Sequence, residues 1–167
     1  MASGLRAGVG ALFLTLVLSA CGGAQMRSTP DPNTPTLTAE QAKERVEEYL
    51  QSFRAAFPAE ATLELLGDAD GACTDASGVN FDGRVQPGRT YWVRGLDQVR
   101  YDSYFDALKS WLPAHGWTVD KDARPQDRYL HAYRPDDGFT MSLQANRQGG
   151  LSIDASSPCV WPDGTPP

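Results

Sequence analysis

The sequence predicts an α+β domain, with two helices packed on one face of a mostly antiparallel sheet in the order α-β-β-α-β-β-β-β. Three observations predict it. Residues 38–57 and 98–114 each repeat apolar side chains at helical spacing. Residues 117–156 alternate apolar and polar with period two, broken by short turns, which is the pattern of an antiparallel meander. Two short strand-like runs, 61–66 and 90–94, lie between the helical segments. Helices with a single apolar stripe bury it against one face of such a sheet.

The first helix opens at Thr38, which forms a capping box with Gln41: the hydroxyl accepts from the Gln41 amide and the Gln41 side chain reaches back. Ala42, Val46, Tyr49, Leu50, Phe53 and Phe57 make one stripe. Glu40, Glu44, Glu47 and Glu48 cluster early, where the helix dipole favours negative charge, and read as a solvated face. Pro58 ends the helix. Residues 61–66 form a short strand with Leu63 and Leu65 on one face. Residues 67–88, rich in Gly and Asp, read as a long loop, which is unusual inside a compact domain.

Residues 90–94 are the second strand. The second helix follows, with Asp97 as N-cap, Tyr101, Tyr104, Phe105, Leu108, Trp111 and Leu112 on one stripe, Pro113 in its last turn and Gly116 at C′. In the meander, Trp117 and Val119 face one way, Thr118 and Asp120 the other. Residues 128–134 form a strand. Phe139, Met141 and Leu143 alternate with Thr140, Ser142 and Gln144. Leu151, Ile153 and Ala155 alternate with Ser152, Asp154 and Ser156. Asp136-Asp137-Gly138 and residues 147–150 are the turns.

The N-terminus has a different character. Arg6 is followed by an apolar run from residue 9 to 18 and then by Ser19, Ala20, Cys21 and Gly22. A charged start, a short apolar core and small residues at a cut site make a secretory signal. The run is far short of the ~20 residues of a spanning helix. Leu18-Ser19-Ala20-Cys21 resembles the lipobox of bacterial lipoprotein precursors. That resemblance implies export, cleavage before Cys21 and a thioether-linked diacylglyceryl group on its sulfur. Two acyl chains suffice for stable anchoring, where one does not. The lipobox, a Pro-rich stretch after it, the Gly116-Trp117 junction and the Cys159-Val160-Trp161-Pro162 ending together resemble small actinobacterial cell-envelope lipoproteins of unassigned function. The resemblance carries over no active site.

The expected organisation is a cleaved signal (1–20), a lipidated cysteine and flexible tether (21–37), a single α+β domain (38–162) and a tail (163–167). Residues 22–37 hold Pro30, Pro32 and Pro35 among Gly, Ser, Thr and Asn, and cannot bury enough apolar surface to order themselves. Cleavage would leave 147 residues with 14 basic and 21 acidic side chains, a formal charge of −7. An acidic chain without a basic run is a poor nucleic-acid binder. It also has no polybasic patch for anionic lipid, so its membrane contact is expected through the lipid on Cys21. With Cys21 assigned to lipid, Cys73 and Cys159 remain, and an even pair in an extracytoplasmic chain reads as a disulfide.

No motif of catalysis, metal binding or cofactor binding stands out. The two histidines are His115, at a helix end, and His131, in a strand between Tyr129 and Tyr133. No Gly-x-Ser-x-Gly elbow presents a nucleophile. Asp68-Ala69-Asp70-Gly71 fails the calcium-loop spacing, with Ala72 and Cys73 at the fifth and sixth positions. A looser oxygen site would use Asp68, Asp70, Asp75 and Asp82. If Leu130 and Ala132 point inward, Tyr129, His131 and Tyr133 join Thr118, Asp120, Thr140, Ser142, Gln144, Ser152 and Asp154 on an open, polar sheet face suited to a protein or glycan partner. The expected role is thus a non-enzymatic envelope protein, lipid-anchored on the outer face of the cell membrane. Two alternatives are a carrier holding a small or lipidic ligand among Tyr49, Phe53, Phe57, Tyr104, Phe105, Trp111 and Trp117, and a hydrolase built on His131.

Overall fold

Thr38 caps helix α1 (Ala39–Phe53) from both sides: its Oγ1 accepts from the Gln41 amide at 3.1 Å and its own amide donates to the Gln41 side chain at 3.0 Å. The structure is a computed structural model. It describes residues 33–74, 77–78 and 81–167, the side chains of Phe81 and Asp82 excepted. After a 3₁₀ turn the chain runs through β1 (Thr62–Asp68), β2 (Gly71–Thr74), β3 (Phe81–Gln86) and β4 (Gly88–Arg94). A second 3₁₀ turn leads into α2 (Tyr101–Ala114), followed by β5 (Thr118–Asp122), β6 (Tyr129–Tyr133), β7 (Thr140–Ala145) and β8 (Leu151–Ser156). Six strands form one antiparallel sheet in the order β1-β4-β8-β7-β6-β5, and β2 pairs with β3 in a separate ribbon. Two helices on a mostly antiparallel sheet is the α+β class the sequence predicts.

The inner face of the sheet supplies Tyr91, Val93, Leu130, Ala132, Met141, Leu143, Ile153 and Ala155 to the core. Facing them are Val46, Leu50 and Phe53 of α1 and Tyr104, Phe105, Leu108 and Leu112 of α2. The aromatic rings close the helix–sheet interface edge to face: Trp117 lies 5.2 Å from Tyr49 and 5.1 Å from Phe53, and Phe139 lies 5.3 Å from Tyr49. Such pairs add about 0.5–1.5 kcal/mol each beyond area burial. The Tyr49 hydroxyl, at the margin of this cluster, is bonded to Asp137.

Helix α2 ends as the sequence predicts. Gly116 has φ +82°, Trp117 N donates to Leu112 O at 3.1 Å and Gly116 N to Pro113 O at 3.3 Å. This is the Schellman closure, which needs a residue free of Cβ strain at positive φ. His115 stacks on Trp111 at 3.5 Å, with Nδ1 2.8 Å from the Trp111 carbonyl oxygen.

Three expectations need correction. Residues 67–88 are not a bare loop, since they hold β2 and β3. These strands are short and poor in alternating apolar residues, and part of what stabilises them comes from the far C-terminus: Val85 and Val160 exchange two backbone hydrogen bonds of 2.9 Å. Leu63 and Leu65 share one face as expected, paired with Val93 and Tyr91, though Leu65 is the more exposed. It stands 55% exposed on the edge strand, next to a bulge between Leu65 and Gly67. Glu47 is not part of a solvated face, because it accepts from Tyr91 at 2.8 Å and from Arg89 at 2.9 Å. Desolvation would raise its pKa, but bonds from Gln51, Arg89 and Tyr91 outweigh that and lower it. Finally, the stretch expected to be flexible up to residue 37 is anchored at its end: Thr36 N donates to Gly164 O, and Trp161 N to Thr36 Oγ1, both at 2.8 Å.

The disulfide expected between Cys73 and Cys159 is present and ties β2 to the C-terminal segment. Among the described residues no helix is long and apolar enough to cross a membrane.

Candidate functional site

Leu130 and Ala132 are fully buried on the helix side, so Tyr129, His131 and Tyr133 stand on the outer face of the sheet. Pairing then fixes their neighbours. Across β6, β7, β8 and β4, His131 is level with Ser142, Asp154 and Thr90. Tyr129 is level with Gln144, Ser152 and Trp92. Tyr133 is level with Thr140, Ser156 and Gly88. Strands ~4.8 Å apart set these side chains in three parallel rows.

The middle row is bonded in two pairs. His131 Nδ1 lies 2.5 Å from Asp120 Oδ1, and Ser142 Oγ donates to Asp154 Oδ1 at 2.5 Å. Asp120 enters the row because β5 bulges there: the register shifts between Val119 and Lys121, so Asp120 and Lys121 together oppose His131. Lys121 Nζ sits 5.3 Å from the centre of the Tyr129 ring, and the Tyr129 and His131 rings lie nearly parallel with centroids 6.4 Å apart.

These side chains bury polar atoms on a face that ordinarily faces water. Ser142 is only 6% exposed. Burial raises the Asp154 pKa, while the Ser142 hydrogen bond and the nearby His131 oppose the rise. Burial also raises that of the Tyr129 phenol, with Asp154 adding to it and Ser142 opposing it.

Serine, histidine and aspartate are thus adjacent, yet the arrangement differs from a nucleophilic site. The Ser142 proton is directed at Asp154. Ser142 lies on β7, which is paired to β6 and β8 on its two sides.

The other candidates disperse. Asp68 pairs with Arg89 at 2.8 Å and Asp70 with Lys43 at 3.0 Å. Asp75 and the side chain of Asp82 lie outside the described residues, as do Cys21 and residues 22–32. Among the described residues no group of three His, Cys, Asp or Glu side chains is placed to hold a metal. The bonded row itself had a signal in the sequence. Asp120, His131, Ser142 and Asp154 recur at intervals of 11, 11 and 12, the repeat of successive meander hairpins.

The fold and this face define a class: an α+β domain with an ordered polar surface built on the outer side of its sheet. Compared with family models, curated proteins and solved structures, the chain has no match.

Proposed function

We propose that the chain is an extracytoplasmic protein held to the cell membrane by lipid on Cys21, and that it binds an envelope protein or glycan through the outer face bearing Tyr129, His131 and Tyr133. The observation that carries the binding reading is the bonded row beneath these rings. Asp120, His131, Ser142 and Asp154 are fixed on rigid neighbouring strands, a preorganisation that lowers the cost of binding. A non-enzymatic role is supported by the Ser142 proton being given to Asp154 rather than toward His131. A carrier would need space between helices and sheet, where the rings of Tyr49, Phe53, Phe139 and Trp117 pack on each other.

Two experiments test the two halves. Mass spectrometry of the membrane-extracted protein is expected to give an N-terminal Cys21 carrying diacylglyceryl. An unmodified mature terminus at another residue would refute the anchor. Tyr129→Ala with Tyr133→Ala is expected to abolish capture of the partner that crosslinks to the native chain in intact cells. Capture of that same partner by the folded double variant would refute the face.

A further inference from the structure

A second surface lies at the opposite end of the β7–β8 hairpin from Thr36. Thr36 and Leu37 border a groove with Phe139 and Pro158, at one end of β7. At the other end, about 20 Å away along six residues of strand, a cleft of about 760 Å³ opens between the start of α2, the β5–β6 loop and the β7–β8 turn. That is the size range of small-ligand sites.

Its lining is unusual for this chain. Of the eleven Asn and Gln residues in the sequence, five (Gln98, Gln126, Gln144, Asn146 and Gln148) are among the twelve residues around the cleft. An even spread would place about one there. Within the described residues the Gln126, Gln144 and Gln148 carboxamides make no hydrogen bond, and Arg147 makes no ion pair. Other lining side chains are held. Tyr101 donates its hydroxyl to Gly149 O at 2.6 Å, Asn146 accepts from Gly150 N at 2.8 Å, and Arg128 pairs with Asp102 at 3.2 Å. The cleft therefore has a braced floor and a rim of free donors and acceptors.

The chemistry of that rim selects a ligand class. Each carboxamide offers two donors and an acceptor, the complement of hydroxyl and acetamido groups. Formal charge is balanced: Arg128 pairs with Asp102, and the lining carries one further cation and one anion, Arg147 and Asp127. A strongly anionic or cationic ligand would meet no net counter-charge. An apolar peptide side chain would find no apolar pocket, since Pro125 and Ala145 are the only aliphatic side chains in the lining. We propose that this cleft binds a neutral glycan chain. The inference extends the binding reading above to a second site and names the ligand class, and it does not depend on the lipid anchor.

The test uses the full chain in detergent and three probes: the N-acetylglucosamine tetramer, maltotetraose and a Gly-Ser decapeptide. Calorimetry is expected to show binding of at least one oligosaccharide, weakened tenfold or more by Gln148→Ala combined with Arg147→Ala. Both positions are exposed, and an unchanged melting temperature confirms that this variant folds. Glu48→Gln, an exposed change on α1 outside both surfaces, should leave that affinity unchanged. Loss of oligosaccharide binding in Tyr129→Ala but not in the cleft variant would assign the binding to the outer face and overturn the cleft. Binding of neither oligosaccharide at millimolar concentration, equal binding by the cleft variant, or binding of the decapeptide alone would each overturn the proposal.

Discussion

Asp120 meets the imidazole of His131 because β5 carries one residue more than the strand opposite it. The bulge also decides where the next two side chains go. Lys121 stays on the outer face over Tyr129, and Asp122 turns inward to Lys109 and Arg124 beside α2. Deleting Asp120 would restore regular alternation and leave both neighbours on the faces they now occupy. The deletion variant is therefore expected to fold, with stability within about 1 kcal/mol of the native chain, because the side-chain hydrogen bond it removes contributes about that much net. Nitrogen NMR of the imidazole should report loss of the hydrogen bond at Nδ1. Deleting Val119 instead would remove an inward side chain and should be clearly more damaging. Equal damage from both deletions would refute the bulge as the source of the contact.

Asp122 binds Arg124 at 2.8 Å and Lys109 at 3.0 Å, with both the aspartate and Arg124 mostly shielded from water. The Arg124 hydrogen bond is the largest cause holding its carboxyl well below the usual range, against desolvation. A depressed pKa contributes stability above the unfolded carboxylate range and loses it as pH falls through that range. Asp122→Ala is expected to cost about 2 kcal/mol at pH 7, in line with charge-assisted hydrogen bonds. The difference from the native chain should shrink steadily in urea titrations taken below pH 4. A difference that persists undiminished at pH 2 would contradict the assignment.

Asp154 gives the opposite slope. Burial raises its pKa in the folded chain, so between the unfolded carboxylate range and that raised value the native state holds the extra proton. Stability therefore falls as pH rises through this window. Asp154→Asn keeps an oxygen for Ser142 and removes the buried charge. The variant should be more stable than the native chain at pH 7 and equal to it near pH 3. Lower stability of the Asn variant at pH 7 would show that the carboxylate, rather than its burial, dominates.

Legibility in the sequence followed how local each signal is. The start of α1 and the end of α2 were readable, because Thr38, Gln41 and Gly116 act within one turn of their own position. By contrast, Asp97 caps the 3₁₀ turn before α2 and not α2 itself, and α1 ends at Phe53, ahead of Pro58. The meander was readable because Leu130, Met141 and Ile153 alternate with polar neighbours. The β2–β3 ribbon was not, since its bridge to Val160 and its disulfide join residues separated by more than seventy positions. The outer face was legible in part. Tyr129, His131 and Tyr133 followed from the inward assignment of Leu130. The Asp120 contact depends on a bulge, which alternation alone conceals. Glu47 showed the same limit, because its partners Arg89 and Tyr91 lie on a strand 42 and 44 residues away.

The disulfide holds the least self-sufficient part of the fold. A two-stranded ribbon is marginal by itself, and β2–β3 is fastened at its outer strand by the Val85–Val160 bridge. The same C-terminal segment receives Thr36 at Trp161 and Gly164. Cys73–Cys159 therefore restrains ribbon, tail and tether attachment together. Closing a loop over a separation of 86 residues restricts the unfolded chain by about 4–5 kcal/mol in the entropy model. Cys73→Ser with Cys159→Ser is expected to lower stability by up to that amount. The loss should be uneven under hydrogen exchange. Amides of β2, β3, Thr36 and Val160 should exchange first, while those of β6, β7 and β8, whose strands are paired on both sides, keep the protection of the native chain relative to global unfolding. A variant in which all these amides lose protection equally would show that the crosslink stabilises the whole sheet and not the ribbon and tail in particular.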